Sequence, residues 1–324
     1  MILYNIDLKC YQEELKKKPE LTREEAARIC PKNIISFDQV RALTSALQKY
    51  SRIPLLIAVD QEGGVVTRLG PAAGFPEVPS PTSLGENNDP AATARAAEAM
   101  AADLRQSGIN FNLAPVVDLD LNPEGLISRN SRSFGSDPKL VYRHAKAFIL
   151  AHRQQSVLTC LKHFPGKGSA GQDTHFEVAD VTSLYQPEEI HPFCWLIEEG
   201  LADTVMTAHI RHLGWDKKFP LTLSPKIPRL LLREKMAFQG VMISDDLQMG
   251  AIVKQFSLEE ACVLAVRAGV DILLGSNNSP EEDDPQLFQR IFEALIKGVE
   301  KRRISKPMIE SSFTRIMELK KRIS

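Results

Sequence analysis

The sequence predicts a single-domain α/β fold, a barrel of TIM type, and three observations carry that prediction. Short apolar runs alternate with amphipathic helical segments along the whole chain, which implies a parallel sheet with helices outside it. No Gly/Ser linker, composition break or fixed-period sequence repeat divides residues 1–324. Asp60, Asp118, His163, His209 and Asp245 each close an apolar run, and the carboxyl ends of barrel strands are where such folds place their chemistry.

Taken in order, residues 2–6 are a short apolar run rich in β-formers. Residues 8–36 are polar and charged, and read as a loop carrying a small helix at 22–29. Residues 38–49 have helical spacing, with Val40, Leu43 and Leu47 on one face. Residues 55–59 form a continuous apolar run ending in Asp60, as expected of a strand buried on both faces. The connection 61–90, with Gly63-Gly64 and many prolines, is of the long kind that is usually functional. An Ala-rich helix at 91–106 ends at Gly108, and 109–117 reads as a strand closing in Asp118.

The alternation continues with a helix at 138–154, a strand at 157–163, a helix at 185–199 and a strand at 204–208 before His209. Residues 224–236 read as a helix whose Pro225 suits a first turn. A strand at 241–243 runs into Ser244-Asp245-Asp246, a helix at 257–268 starts on the cap Ser257, and 270–274 is the last strand. Helices at about 286–301 and 306–322 finish the chain. The strand candidates number seven, so an eight-stranded (β/α) barrel is one short.

With 40 basic and 41 acidic residues the charge nearly cancels, and nothing in it favours nucleic acid or an anionic membrane surface. No segment is long and apolar enough to span a bilayer, and the N-terminus lacks a signal-peptide profile. Cys10, Cys30, Cys160, Cys194 and Cys262 are scattered without CxxC pairing, so neither a zinc site nor a disulfide framework is expected. Reduced thiols in a cytoplasmic protein are the expectation, provided no signal peptide lies upstream of Met1.

The stretch 160–175, CLKHFPGKGSAGQDTH, concentrates reactive groups. A strand ends in Lys162-His163, a loop with Gly166, Gly168 and Gly171 follows, free to move, and Asp173-Thr174-His175 closes it. Two chemistries suit this inventory. One is glycosidic bond cleavage, with Asp245 as an attacking carboxylate and Asp173 with His175 as an acid/base dyad. The other is metal-assisted hydrolysis by His163, His175, His209 and Asp245, against which stands the lack of any HxH or HExxH spacing.

Several ordered blocks then bear on the choice: IAVDQEGG (57–64) with Arg68, NLAPVVDLDLNP (112–123), SRSFG (131–135), KHFPGKG (162–168) with DTH (173–175), VMTAH (205–209) and GVMISDDLQM (240–249). In these the chain resembles the glycoside hydrolase family 3 β-N-acetylglucosaminidases of the NagZ-like branch, over nearly its whole length. The resemblance implies a retaining enzyme without metal or cofactor, removing terminal β-linked N-acetylglucosamine, with muropeptide fragments of wall recycling as substrate. Asp245 would be the nucleophile and His175 the acid/base, with Asp173 as its partner. Asp60, Arg68, Arg132, Lys162 and His163 would hold the terminal sugar.

Beside these, His209 and Lys167 are possible site-lining residues, Asp246 reads as a structural hydrogen-bonder, and Glu62 and Asp118 read equally as loop-pinning acceptors. Glu177 is a rival acid near the dyad. His144, His152, His191 and His212 read as surface or helix-face residues. Three departures from the pattern matter: Lys167 where many relatives have a second histidine, Val65 where an arginine is frequent, and a start where relatives have their second strand, as if the first strand and helix were missing. A phosphate-dependent phosphorylase, favoured by a histidine acid/base and Lys167, and a non-catalytic sugar-binding relic are the alternatives.

Overall fold

The computed structural model describes residues 1–324 apart from 172, 175, 176, 279–283 and 324. One parallel sheet holds all seven strand candidates: β1 Ile2–Leu3, β2 Ala58–Val59, β3 Phe111–Asn112, β4 Leu158–Phe164, β5 Thr204–Thr207, β6 Val241–Asp246 and β7 Ile272–Leu274. Each pairs only with its neighbours in chain order. That is the order of a barrel wall; a doubly wound sheet reverses its order part-way. Among the described residues no ladder joins β1 to β7.

The sheet curls because its inward side chains share one core. Ala58, Phe111, Leu158, Cys160, Met206, Val241 and Ile243 pack together, and Ile2 of β1 and Ile272 and Leu274 of β7 pack against the same cluster. Side chains along a strand alternate between faces. On β4 the inward set Leu158, Cys160 therefore continues to Lys162, and on β6 Val241, Ile243 continues to Asp245. Asp60 follows Ala58 in the same register. The outward set, Leu161 and Met242 among them, packs with Val141, Ala145 and Ile149 of the helix Pro138–Gln154.

The amino end of this core is plugged by the C-terminal helix Lys306–Lys320 and the turn after it. Leu319 and Ile323 enter the inner cluster. Arg322 reaches Asp203 at 2.7 Å, and Arg315 reaches Asp271 at 2.7 Å, both carboxylates standing just before a strand. The closed end leaves the carboxyl ends of the strands as the mouth.

Four expectations are corrected. Residues 8–36 hold two helices, Leu8–Lys17 and Arg23–Ile29, capped by Asp7 and Thr22 and packed on a small separate cluster of Ile6, Leu21 and Ala26. Cys10 and Cys30 are joined in a disulfide, so those two thiols are not reduced. Residues 224–236 wind as a π-helix over Lys226–Lys235, with Leu230 N bonded to Pro225 O and Met236 N to Leu231 O; Pro228 inside it has no N–H for an α-helical ladder. His144 and His152 are fully buried, His144 bonded to Thr93 Oγ1 at 2.7 Å and His152 to Asn112 Nδ2 at 3.0 Å.

Candidate active site

At the mouth, four charged groups form an alternating chain. Lys162 Nζ lies 2.7 Å from Asp60 Oδ1 and 2.7 Å from Glu62 Oε1. Arg132 grips Glu62 with both Nε and Nη2 at 2.7 Å, the fork geometry that a guanidinium offers a carboxylate. Burial by itself would push the Glu62 carboxyl up, but Arg132 and Lys162 outweigh it and hold Glu62 well below the usual carboxylate range. The same pairing keeps Lys162 and Arg132 charged although both are deeply buried. Arg68 stands further off, 3.9 Å from Asp60, with the Tyr4 ring 5.8 Å from its guanidinium carbon. Asp60, Arg132 and Lys162, three of the residues expected to hold a sugar, are thus brought together through Glu62, with Arg68 at their edge.

Asp245 stands half-buried at the carboxyl end of β6, on the inward face. Burial favours its neutral form, and the Lys167 ammonium foremost, with the Asp246 N–H, overrides that and holds the carboxyl well below the ordinary range. Asp246 N donates to Asp245 Oδ1 at 2.9 Å, which fixes one carboxylate oxygen. An ionised, oriented carboxylate open to the mouth is equipped to attack an electrophilic carbon.

Asp118 organises the loop after β4. It accepts from His163 Nδ1 at 2.7 Å, from His163 N at 3.1 Å and from Lys167 N at 2.9 Å. The loop-pinning reading of Asp118 is therefore what the structure shows. Burial, then the cations Lys167 and Arg132, drive the His163 imidazole well below its usual value, so it is neutral. Glu189 adds a second pin, accepting from Gly168 N at 2.8 Å. A Cβ at Gly168 would lie 1.8 Å from Leu119 O and one at Gly166 would lie 2.6 Å from Glu189 Cβ. These glycines permit close packing, which corrects the expectation that this part of the loop is free to move.

Lys167 is buried, its Nζ 3.5 Å from Thr174 Oγ1. Burial lowers its pKa and the Asp245 carboxylate opposes that. Thr174 is buried as well, and its carbonyl accepts from Ala251 N at 3.2 Å, so the loop carrying Asp173 is docked on the turn after Asp245. Asp173 is half-buried there; His175 lies outside the described residues.

His209 is packed, with Nδ1 2.9 Å from Thr222 Oγ1 and Nε2 2.9 Å from the Asp246 carbonyl. Both ring nitrogens are occupied, so it supports the β6 end and offers no lone pair to a metal. Among the described residues no group of three or more His, Cys, Asp or Glu is placed to hold a metal ion, and no helix is long and apolar enough to cross a membrane. Asp246 is a structural acceptor for Ser276 and Gln248. Two participants were not foreseen as part of the site: Glu62, the centre of the ion chain, and Tyr4, whose hydroxyl is pushed up by burial and by Asp60 and Asp246. Tyr4 follows β1 directly, and the rule of polar strand ends could have found it.

The N-terminal domain of glycosyl hydrolase family 3 matches residues 20–319. The chain belongs to glycosyl hydrolase family 3. This family 3 chain is similar to a curated beta-hexosaminidase of Photobacterium profundum, 35% identical over 266 residues that make 80% of this chain and 78% of the relative. Beta-hexosaminidase A of Pseudoalteromonas piscicida is 31% identical, covering 90% of this chain and 52% of its own. Among solved structures, a glycoside hydrolase family 3 beta-N-acetylglucosaminidase from a Paenibacillus species superposes with a TM-score of 0.83 at 35% identity, covering 90% of this chain and 55% of that one. The family 3 chain spans about half the length of these last two relatives.

Proposed function

We propose that the chain is a retaining glycosidase that removes terminal β-linked N-acetylglucosamine. The carrying observation is Asp245: ionised, oriented by the Asp246 N–H, and facing a mouth walled by the rigid Asp60–Lys162–Glu62–Arg132 chain. The beta-hexosaminidase and beta-N-acetylglucosaminidase names of the relatives support the substrate class.

In this reading the sugar's hydroxyls bond to Asp60, Lys162, Arg132 and His163, with Arg68 at the edge. The Asp245 carboxylate attacks the anomeric carbon while His175, oriented by Asp173, gives its proton to the leaving oxygen. The bond to the aglycone breaks as the bond to Asp245 forms. Water then attacks the same carbon, His175 takes its proton, and Asp245 departs as a carboxylate. A muropeptide fragment of wall recycling is the proposed natural substrate. The cytoplasmic setting rested on reduced thiols; a Cys10–Cys30 bond is uncommon there, and cell fractionation decides it.

The test is hydrolysis of 4-nitrophenyl N-acetylglucosaminide by wild type, Asp245→Asn and His175→Ala, with intact mass measured after exposure to a 5-fluoro glycosyl fluoride. The reading requires an adduct on Asp245 and loss of turnover in Asp245→Asn; wild-type turnover in that variant removes the nucleophile. A second reading, transfer to phosphate, is favoured by the buried Lys167 cation acting on Asp245 and by similarity to the beta-glucoside phosphorylase BglX, at 29% identity and a TM-score of 0.79. Release of sugar 1-phosphate when phosphate is added would establish it.

A further inference from the structure

Beside the sugar-binding set lies a cavity of about 380 Å³ that the chemistry above does not use. The helix Arg23–Ile29 walls one side and residues 64–78 wall the other. Ile6, Ala27, Ile34, Val65 and Val78 give it apolar surface, and two guanidinium groups, Arg23 and Arg68, line it as well. Arg68 belongs to both places, since it also faces Asp60. The cavity is therefore the immediate neighbour of the site proposed for the terminal sugar.

Its polar donors are left wanting. Arg68 Nε and Thr67 Oγ1 are buried without a hydrogen-bond partner among the described residues, and both residues line the cavity. Arg23 is an exposed residue at the cavity edge and makes no hydrogen bond or ion pair among the described residues, so its guanidinium is open to solvent and to a ligand. Glu24 at the rim is engaged by Arg28 at 2.6 Å. Glu77 also lines the cavity, yet the charges acting on Arg23, after burial, are Arg68 as a like charge and Tyr11, with no carboxylate among them. Buried donors without partners cost free energy, and two neighbouring guanidiniums repel. An oxyanion would relieve both, because its oxygens match the guanidinium fork and accept from a hydroxyl.

We propose that this cavity is a subsite for a sulfate or phosphate ester carried by the terminal N-acetylglucosamine, received by Arg23, Arg68 and Thr67. The inference rests on the reading that Asp60 and Arg68 hold that sugar. The neutral sugar fills the mouth alone; the esterified one reaches past Arg68 into the cavity. Arg23 then sets specificity without touching the reacting atoms.

The experiment compares wild type and Arg23→Gln on 4-nitrophenyl N-acetylglucosaminide, on its 3-, 4- and 6-O-sulfates and on its 6-phosphate. Wild type is expected to prefer at least one ester by about tenfold in kcat/KM, the effect of one charge-assisted contact. Arg23→Gln is expected to lose that preference while its turnover of the neutral substrate stays unchanged. The sulfate and phosphate arms distinguish the two esters. No preferred ester, or an equal loss on neutral and charged substrates, overturns the proposal. If the wild type cleaves none of them, the proposed function fails, and calorimetry of Asp245→Asn with the sulfates and phosphate of N-acetylglucosamine still reads the subsite. Binding that disappears on adding Arg23→Gln keeps it; absence of binding ends it.

Discussion

The backbone N–H of Ala251 donates to the carbonyl of Thr174 at 3.2 Å, so Thr174, beside Asp173, is fastened to the turn behind Asp245. The proposed acid/base His175 and nucleophile Asp245 sit 70 positions apart in sequence, and this bond ties the neighbour of the first to the turn that follows the second. Ala251 is in the first turn of the helix Gly250–Val253, where proline is tolerated but brings no N–H. Ala251→Pro should lower kcat/KM about fivefold, one hydrogen bond's worth, on aryl glycosides with poor leaving groups. The 4-nitrophenyl substrate, whose departure needs little acid help, should lose less. Equal losses across a leaving-group series would show that the bond does not position the acid.

Lys167 presents a second test, because its buried ammonium acts on Asp245 while its Nζ lies 3.5 Å from the Thr174 hydroxyl. Asp245 has a depressed folded pKa, held down by Lys167 first among its neighbours once burial is overcome. Lys167→Met removes that charge, so burial gains and the carboxyl rises. The acid limb of kcat/KM should move to higher pH, with a loss that grows as the pH falls below 7. A pH profile identical to wild type would separate Lys167 from the nucleophile.

What could be read in the sequence divides along physical lines. Strands such as 157–163 and 241–243 were legible because a parallel strand buried on both faces must be a continuous apolar run, and the polar residues that end those runs marked the mouth. The helix Leu8–Lys17 was not legible: LKCYQEELKK has few apolar residues, and they pack on a small local cluster, not the main core. His144 and His152 occupy the buried face of Pro138–Gln154 beside Val141, Ala145 and Phe148, yet a histidine reads as polar until its partners, Thr93 and Asn112, are known. The grip of Arg132 on Glu62 spans 70 residues, a pairing that no local pattern announces. The Gly166–Gly168 loop was misread as mobile because glycine serves close approach as well as flexibility.

Glu62 gives a prediction about stability. It sits buried between Arg132 and Lys162, and Glu62→Gln leaves two desolvated cations with one compensating charge fewer. Breaking such a group costs about 3–5 kcal/mol. The folded pKa of Glu62 is depressed, so its contribution is present above the unfolded value of about 4.3 and is lost as pH falls below it. Denaturation midpoints should differ widely between wild type and Glu62→Gln at pH 7, and the gap should narrow progressively as the pH falls below about 4. A gap independent of pH would mean that the Glu62 charge does not carry the stability.

The Cys10–Cys30 disulfide links the two N-terminal helices across a sequence separation of 20, and one of those helices, Arg23–Ile29, is the wall that brings Arg23 to the cavity. Closing a loop of that length removes unfolded-state entropy equivalent to about 3 kcal/mol. Because Ile6, Leu21 and Ala26 form a cluster apart from the main core, the loss on reduction should fall on this hairpin as local opening before global unfolding. Cys10→Ser with Cys30→Ser, or wild type in a strong thiol reductant, should therefore become sensitive to proteolysis within residues 8–30 while turnover of the neutral substrate persists. The preference for a charged ester should weaken in the same samples, since Arg23 is then no longer held against the cavity. Protease resistance unchanged after reduction, with the thiols counted free by mass, would show that the helices keep their place without the bond.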